Sequence, residues 1–109
     1  MIKNELDTKK DIIYNPDARK IMLECFNAPR SLKEISYKHD IPIAETYHIA
    51  SKLTKYGYIT PIDKVKRNGK RTQLYKTISS NVLVETKENG LKMRMNFEGE
   101  EVKMVETAI

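Results

Sequence analysis

The hydrophobic pattern of this chain changes period at Gly57. Before it, apolar side chains recur at helical spacing. After it they alternate every second residue. A chain with both periods, in that order, has to set helices against strands. The expected class is therefore α+β, with three N-terminal helices followed by two β-hairpins. At 109 residues the chain has room for one modest core and none for a separate catalytic domain.

The helical half is punctuated by local signals. Asn15-Pro16-Asp17 supplies a cap, a first-turn proline and an acidic side chain at the positive helix end. Ala18, Ile21, Met22 and Cys25 follow at helical spacing, widened by Leu23 and Phe26, and Pro29 predicts a stop near Asn27. Ser31-Leu32-Lys33-Glu34 has the capping-box pattern and opens a short second helix that ends around His39-Asp40. A third helix starts near Pro42 or Ile43 and runs to about Tyr56. Thr46, Ile49, Ala50 and Leu53 form its inner stripe. Gly57 suits the left-handed position beyond its end. Residues 1–14 are expected to be a flexible lead-in, because the first ten are polar.

The second half reads as paired strands. Tyr58 to Val65 and Arg71 to Ile78 flank Asn68-Gly69, a strong hairpin signal, and Pro61 confines the first strand to an edge or a bulge. Residues 15–80 are thus expected to form one domain. Residues 81–109 form a β-rich extension, with strands at Val82 to Thr86 and Leu91 to Phe97 joined by Glu88-Asn89-Gly90. In the second of these Leu91, Met93, Met95 and Phe97 make an apolar row. It is expected to pack on the first helix or on a second subunit, which makes it the candidate dimerisation element. Val102, Met104 and Val105 have no clear period and fit either a further strand or a helix.

Charge narrows the function. The chain carries 20 Lys plus Arg against 15 Asp plus Glu, a net of +5, which suits a polyanionic partner. The excess is confined to residues 1–80, which have 16 basic and 9 acidic side chains; residues 81–109 have 4 and 6. No apolar run approaches the ~18 residues of a membrane span. The opening MIKNELDTKK lacks the apolar stretch of a signal peptide, so a cytoplasmic protein is expected. Cys25 is the only cysteine, which leaves no internal disulfide and no paired-cysteine zinc motif. No glycine-rich phosphate loop or nucleophile elbow occurs, so the chain is not expected to be an enzyme. His39 and His48, with Asp40 and Glu45 nearby, have no spacing that defines a metal site. No cofactor, metal or effector is implied.

Leu32-Lys33-Glu34-Ile35, Ile41-Pro42-Ile43-Ala44, the run from Ala50 to Ile59 and the return arm Gln73-Leu74-Tyr75-Lys76 occur in a characteristic order. Over about residues 16–78 the chain resembles the winged helix-turn-helix transcriptional regulators, in particular the small arsenic-repressor-like ones. The cysteine motif of the metal-sensing members is absent. The resemblance implies a double-stranded DNA partner, a recognition helix at residues 43–55 and a basic wing tip at residues 66–71.

The groove-facing candidates on the helix are Ala44, Glu45, Tyr47, His48 and Ser51, with Lys52 and Lys55 better placed for phosphate. On the wing they are Lys66, Arg67, Lys70 and Arg71, in a stretch with no acidic side chain from residue 64 to 76. Arg30 and Lys33 flank the amides opening the second helix, a further phosphate position. A homodimer would present two such helices to successive major grooves. An architectural DNA-binding protein, or a winged-helix scaffold for protein contacts, would use the same fold and remains an alternative.

Overall fold

The computed structural model describes residues 9–88, 90–97 and 100–107. The architecture is α+β: an N-terminal helical region followed by two small antiparallel sheets. The helices are α1 (Lys9–Tyr14), α2 (Pro16–Asn27), α3 (Leu32–His39) and α4 (Ile43–Lys55). The strands are β1 (Ile59–Arg67), β2 (Lys70–Thr77), β3 (Val82–Lys87), β4 (Gly90–Phe97) and β5 (Glu100–Thr107).

The caps form where the residue types require them. Asn15 Oδ1 accepts from the Ala18 amide at 3.0 Å and starts α2. At α3, Ser31 Oγ accepts from the Glu34 amide at 3.2 Å, and a Glu34 carboxylate oxygen accepts from the Ser31 amide at 3.3 Å. Asp40 ends α3 with a left-handed backbone, φ 54°. Gly57 ends α4 at φ 82°, a conformation that costs a side-chain-bearing residue about 1–2 kcal/mol.

Two expectations are corrected by the packing, and one open alternative is decided. Residues 9–14 are not a loose lead-in: they form α1, and Ile12 and Ile13 are fully buried, while residues 1–8 lie outside the described residues. Second, of the two places open to the β4 row, its own helical region covers its centre. Val82, Met93 and Met95 join Ile12, Ile21, Met22, Ile49 and Leu53 in one hydrophobic core. Polar links close the junction: Tyr58 Oη donates to the Asn96 carbonyl at 2.7 Å, and Asn81 Nδ2 to the Gly57 carbonyl at 2.8 Å. Third, the extension is a three-stranded meander, β3-β4-β5, rather than a hairpin.

These corrections bear on the proposed dimer row. Met93 and Met95 are enclosed by their own chain, so neither is available as an interface residue. Leu91, near the start of β4, is only half-buried. The side chain of Phe97 lies outside the described residues, as do Asn89 of the β3–β4 turn and the side chains of Val102, Met104 and Val105. Met93 and Met95 are covered because α1, a core element with no period of its own, supplies part of the apolar surface that the β4 row needs.

The first sheet is the β1–β2 hairpin. Its register runs from Ile59 opposite Thr77 to Arg67 opposite Lys70, broken by an irregularity between Pro61 and Lys64, where proline cannot donate to the ladder. Asn68 (φ 51°) and Gly69 (φ 77°) make the two-residue turn with both central residues left-handed. Two backbone hydrogen bonds join Arg30 and Tyr75, at 3.0 and 2.8 Å, and lay the segment before α3 along β2. Thr77 Oγ1 donates to the Met22 carbonyl at 2.6 Å, and Lys76 Nζ to the Phe26 carbonyl at 3.1 Å, fixing the hairpin base to α2.

One carboxylate is buried in the helical region. Glu24 on α2 is 6 % exposed; its Oε1 lies 2.8 Å from Lys38 Nζ and 3.2 Å from His39 Nε2, and its Oε2 3.6 Å from Arg30 Nε. Burial alone would raise its pKa. The hydrogen bonds and charges of Lys38 and His39 outweigh burial and hold it below the ordinary 4.5. A carboxylate depressed in the folded state stabilises the fold above its unfolded pKa, and that contribution fades as pH falls through the folded value. The melting temperature of the protein should therefore fall more steeply below about pH 4.5 than that of Glu24→Gln. Parallel melting profiles for the two proteins between pH 6 and 3 would dismiss this role.

Candidate nucleic-acid interface

The amphipathic pattern of α4 sorts its residues as the sequence predicts. Thr46, Ile49, Ala50 and Leu53 are buried. Ala44, Tyr47, His48, Ser51 and Lys55 are exposed, and Glu45 and Lys52 are half-buried. Tyr47, 55 % exposed, is a large aromatic surface in water. It borders a groove of about 270 Å³ that is also lined by Leu32, Ser51, Thr54 and Tyr75. Tyr75 comes from β2, so the exposed side of α4 adjoins the hairpin. The Tyr75 phenol is raised by burial first, and then by the neighbouring Tyr47 and Cys25.

At the other end of the hairpin, Lys66, Arg67, Lys70 and Arg71 are all exposed. The register sets Lys66 opposite Arg71 and Arg67 opposite Lys70. Like charges directly opposite each other destabilise a strand pair. Arg67 is partly relieved, because its Nη1 pairs with Glu34 at the start of α3. Lys66, Lys70 and Arg71 have no acidic partner among the described residues. Lys33, also exposed, follows the same α3 start. The Arg67–Glu34 pair ties the hairpin tip to the start of α3, and the Tyr75 groove joins the other half of the hairpin to α3 and α4.

Charges on the second sheet behave differently. Arg94 of β4 pairs with Glu85 of β3 and lies 3.6 Å from Glu101 of β5. The Arg94 charge is thus offset within the sheet.

Some sequence candidates have other duties. Arg30 is half-buried; it faces Glu24 and pairs with β2 through its backbone, so its cation is already engaged. Ser31 is buried and caps α3. Cys25 is fully buried, and burial, with the nearby Glu24 charge, pushes its thiol up to about 12, which suits a packing role rather than a reactive thiolate. His39 belongs to the Glu24 cluster and His48 is exposed on α4; no group of three potential metal ligands occurs among the described residues.

Three residues were missed by sequence reasoning. Glu24 sits on a helix face among apolar neighbours, a weak hint of a buried charge. Glu34 reads only as a cap. Tyr75 reads only as part of a strand, since nothing local reveals that Tyr47 lies across the groove.

Compared with known proteins, the chain matches no family model and no curated protein.

Proposed function

We propose that this chain is a double-stranded DNA-binding transcriptional regulator of winged helix-turn-helix architecture, working in the cytoplasm. The α2, α3, α4 and β1–β2 order supports that architecture, together with the short backbone pairing of Arg30 with Tyr75. In this reading α4 enters the major groove and presents Tyr47, His48 and Ser51 to base edges. The hairpin tip lies against the flanking phosphates or the minor groove, with Arg67 the cation best suited to a narrow groove.

The observation that carries the reading is the cross-strand pairing of like charges, Lys66 with Arg71 and Arg67 with Lys70. Like charges set directly opposite each other oppose folding. A row of phosphates offsets that cost, whereas a solvated turn has no need of it. No helix among the described residues is long and apolar enough to cross a membrane.

Selection of bound sequences from a random duplex pool tests the reading. A regulator enriches one motif. Tyr47→Ala, His48→Ala or Ser51→Ala then relaxes preference at the contacted base by about 1–3 kcal/mol while leaving affinity for random duplex in place. Binding without enrichment would identify an architectural protein instead. With no duplex binding even at low salt the reading falls, as the alternative of a scaffold for protein contacts predicts.

A further inference from the structure

Glu34 does two things with one oxygen. Its Oε1 accepts from the Ser31 amide at 3.3 Å and from Ser31 Oγ at 3.0 Å, completing the α3 cap. The same Oε1 accepts from Arg67 Nη1 at the hairpin tip, 33 residues further along the chain. The cap needs only an acceptor, which glutamine also provides. The Arg67 pair needs the charge. Burial would raise the Glu34 pKa, but the Arg67 hydrogen bond, the Ser31 hydrogen bonds and the Arg67 charge hold it below the ordinary value.

The pair is open to solvent, with the Arg67 and Glu34 side chains 46 % and 37 % exposed. A phosphate can therefore reach the guanidinium, and exposed ion pairs are weak enough to exchange. The other three tip cations have no such tie among the described residues.

We infer that Glu34 is a built-in competitor for Arg67: it occupies the guanidinium in the free protein, and a duplex phosphate has to displace it. This rests on the duplex-binding reading given above. Glu34 thereby sets how tightly the tip grips phosphate, and it keeps Arg67 from gripping any polyanion without that exchange. Once displaced, its carboxylate stands beside the incoming phosphate and adds repulsion, so the contact is weakened from both sides.

A double-mutant cycle separates this exchange from a change in overall charge. Affinity for one duplex is measured at fixed low salt for the protein, Glu34→Gln, Arg67→Gln and the double variant. Glutamine retains the cap, so the melting temperature of Glu34→Gln should stay near that of the protein. Glu34→Gln should bind about fivefold tighter, the worth of an exposed pair that no longer has to be broken. The gain should largely vanish in the Arg67→Gln background.

Unchanged or weaker binding by Glu34→Gln overturns the inference and leaves duplex binding standing. An equal gain in both backgrounds also overturns it, because added positive charge alone then explains the effect. Absence of duplex binding by all four proteins removes the function and the competitor together.

Discussion

Replacing Lys66, Lys70 and Arg71 together by glutamine should lower duplex affinity by about two orders of magnitude or more near 0.1 M salt. The slope of log affinity against log salt should become shallower by about 2.7, because each lost phosphate contact removes about 0.9. The same variant should be no less stable than the protein. In the free hairpin Lys66 faces Arg71 and Lys70 faces Arg67, so neutralising them removes two unfavourable cross-strand pairs. Binding and stability thus move in opposite directions, a pattern that structural lysines on a turn would not produce. Filter-binding or fluorescence titrations across salt, with thermal melts of both proteins, supply the check. An unchanged salt slope would take the hairpin out of the interface and leave its charge without an explanation.

The second large effect concerns the core. Ile12→Ala and Met95→Ala should each destabilise the fold by about 2–5 kcal/mol, the range for deleting a fully buried large aliphatic side chain. Domains of this size have about 5–15 kcal/mol in total, so either change is severe. Ile12 belongs to α1 and Met95 to β4, far apart in the sequence, yet both lie in one cluster with Ile21 and Leu53. Denaturant unfolding should therefore show one cooperative transition, shifted by either substitution, with fluorescence and circular dichroism coinciding. An early separate transition in either variant, or a loss below about 0.5 kcal/mol at Ile12, would show that the N-terminal helix is only loosely docked.

Both predictions depend on features of different visibility. The tip is local chemistry. Asn68-Gly69 admits the left-handed turn, and the turn in turn imposes the register that puts cation against cation. The inner stripe of α4 is equally local, because helical geometry alone decides which of its residues share a face. Ser31 with Glu34, and Gly57 after α4, act within four residues of their partners. Each of these is legible in the order of the amino acids.

The rest needed the chain to meet itself. Two isoleucines in a six-residue helix have no period to recognise, and Ile12 and Ile13 count as core only because they pack into one cluster with residues of α2, α4 and β4. Met93 and Met95 alternate as an interface row would; whether a second subunit or their own chain covers such a row is a matter of which faces fit together. Glu24 is tolerable in the interior because Arg30, Lys38 and His39 converge on it from about 6 to 15 residues away. The Glu34–Arg67 contact spans 33 residues. Helix ends, turns, the α4 stripe and the charge of the tip follow from interactions between near neighbours, which a linear sequence displays. Which apolar faces close on one another, and which charges they bring within reach, depends on long-range packing that only the folded chain resolves.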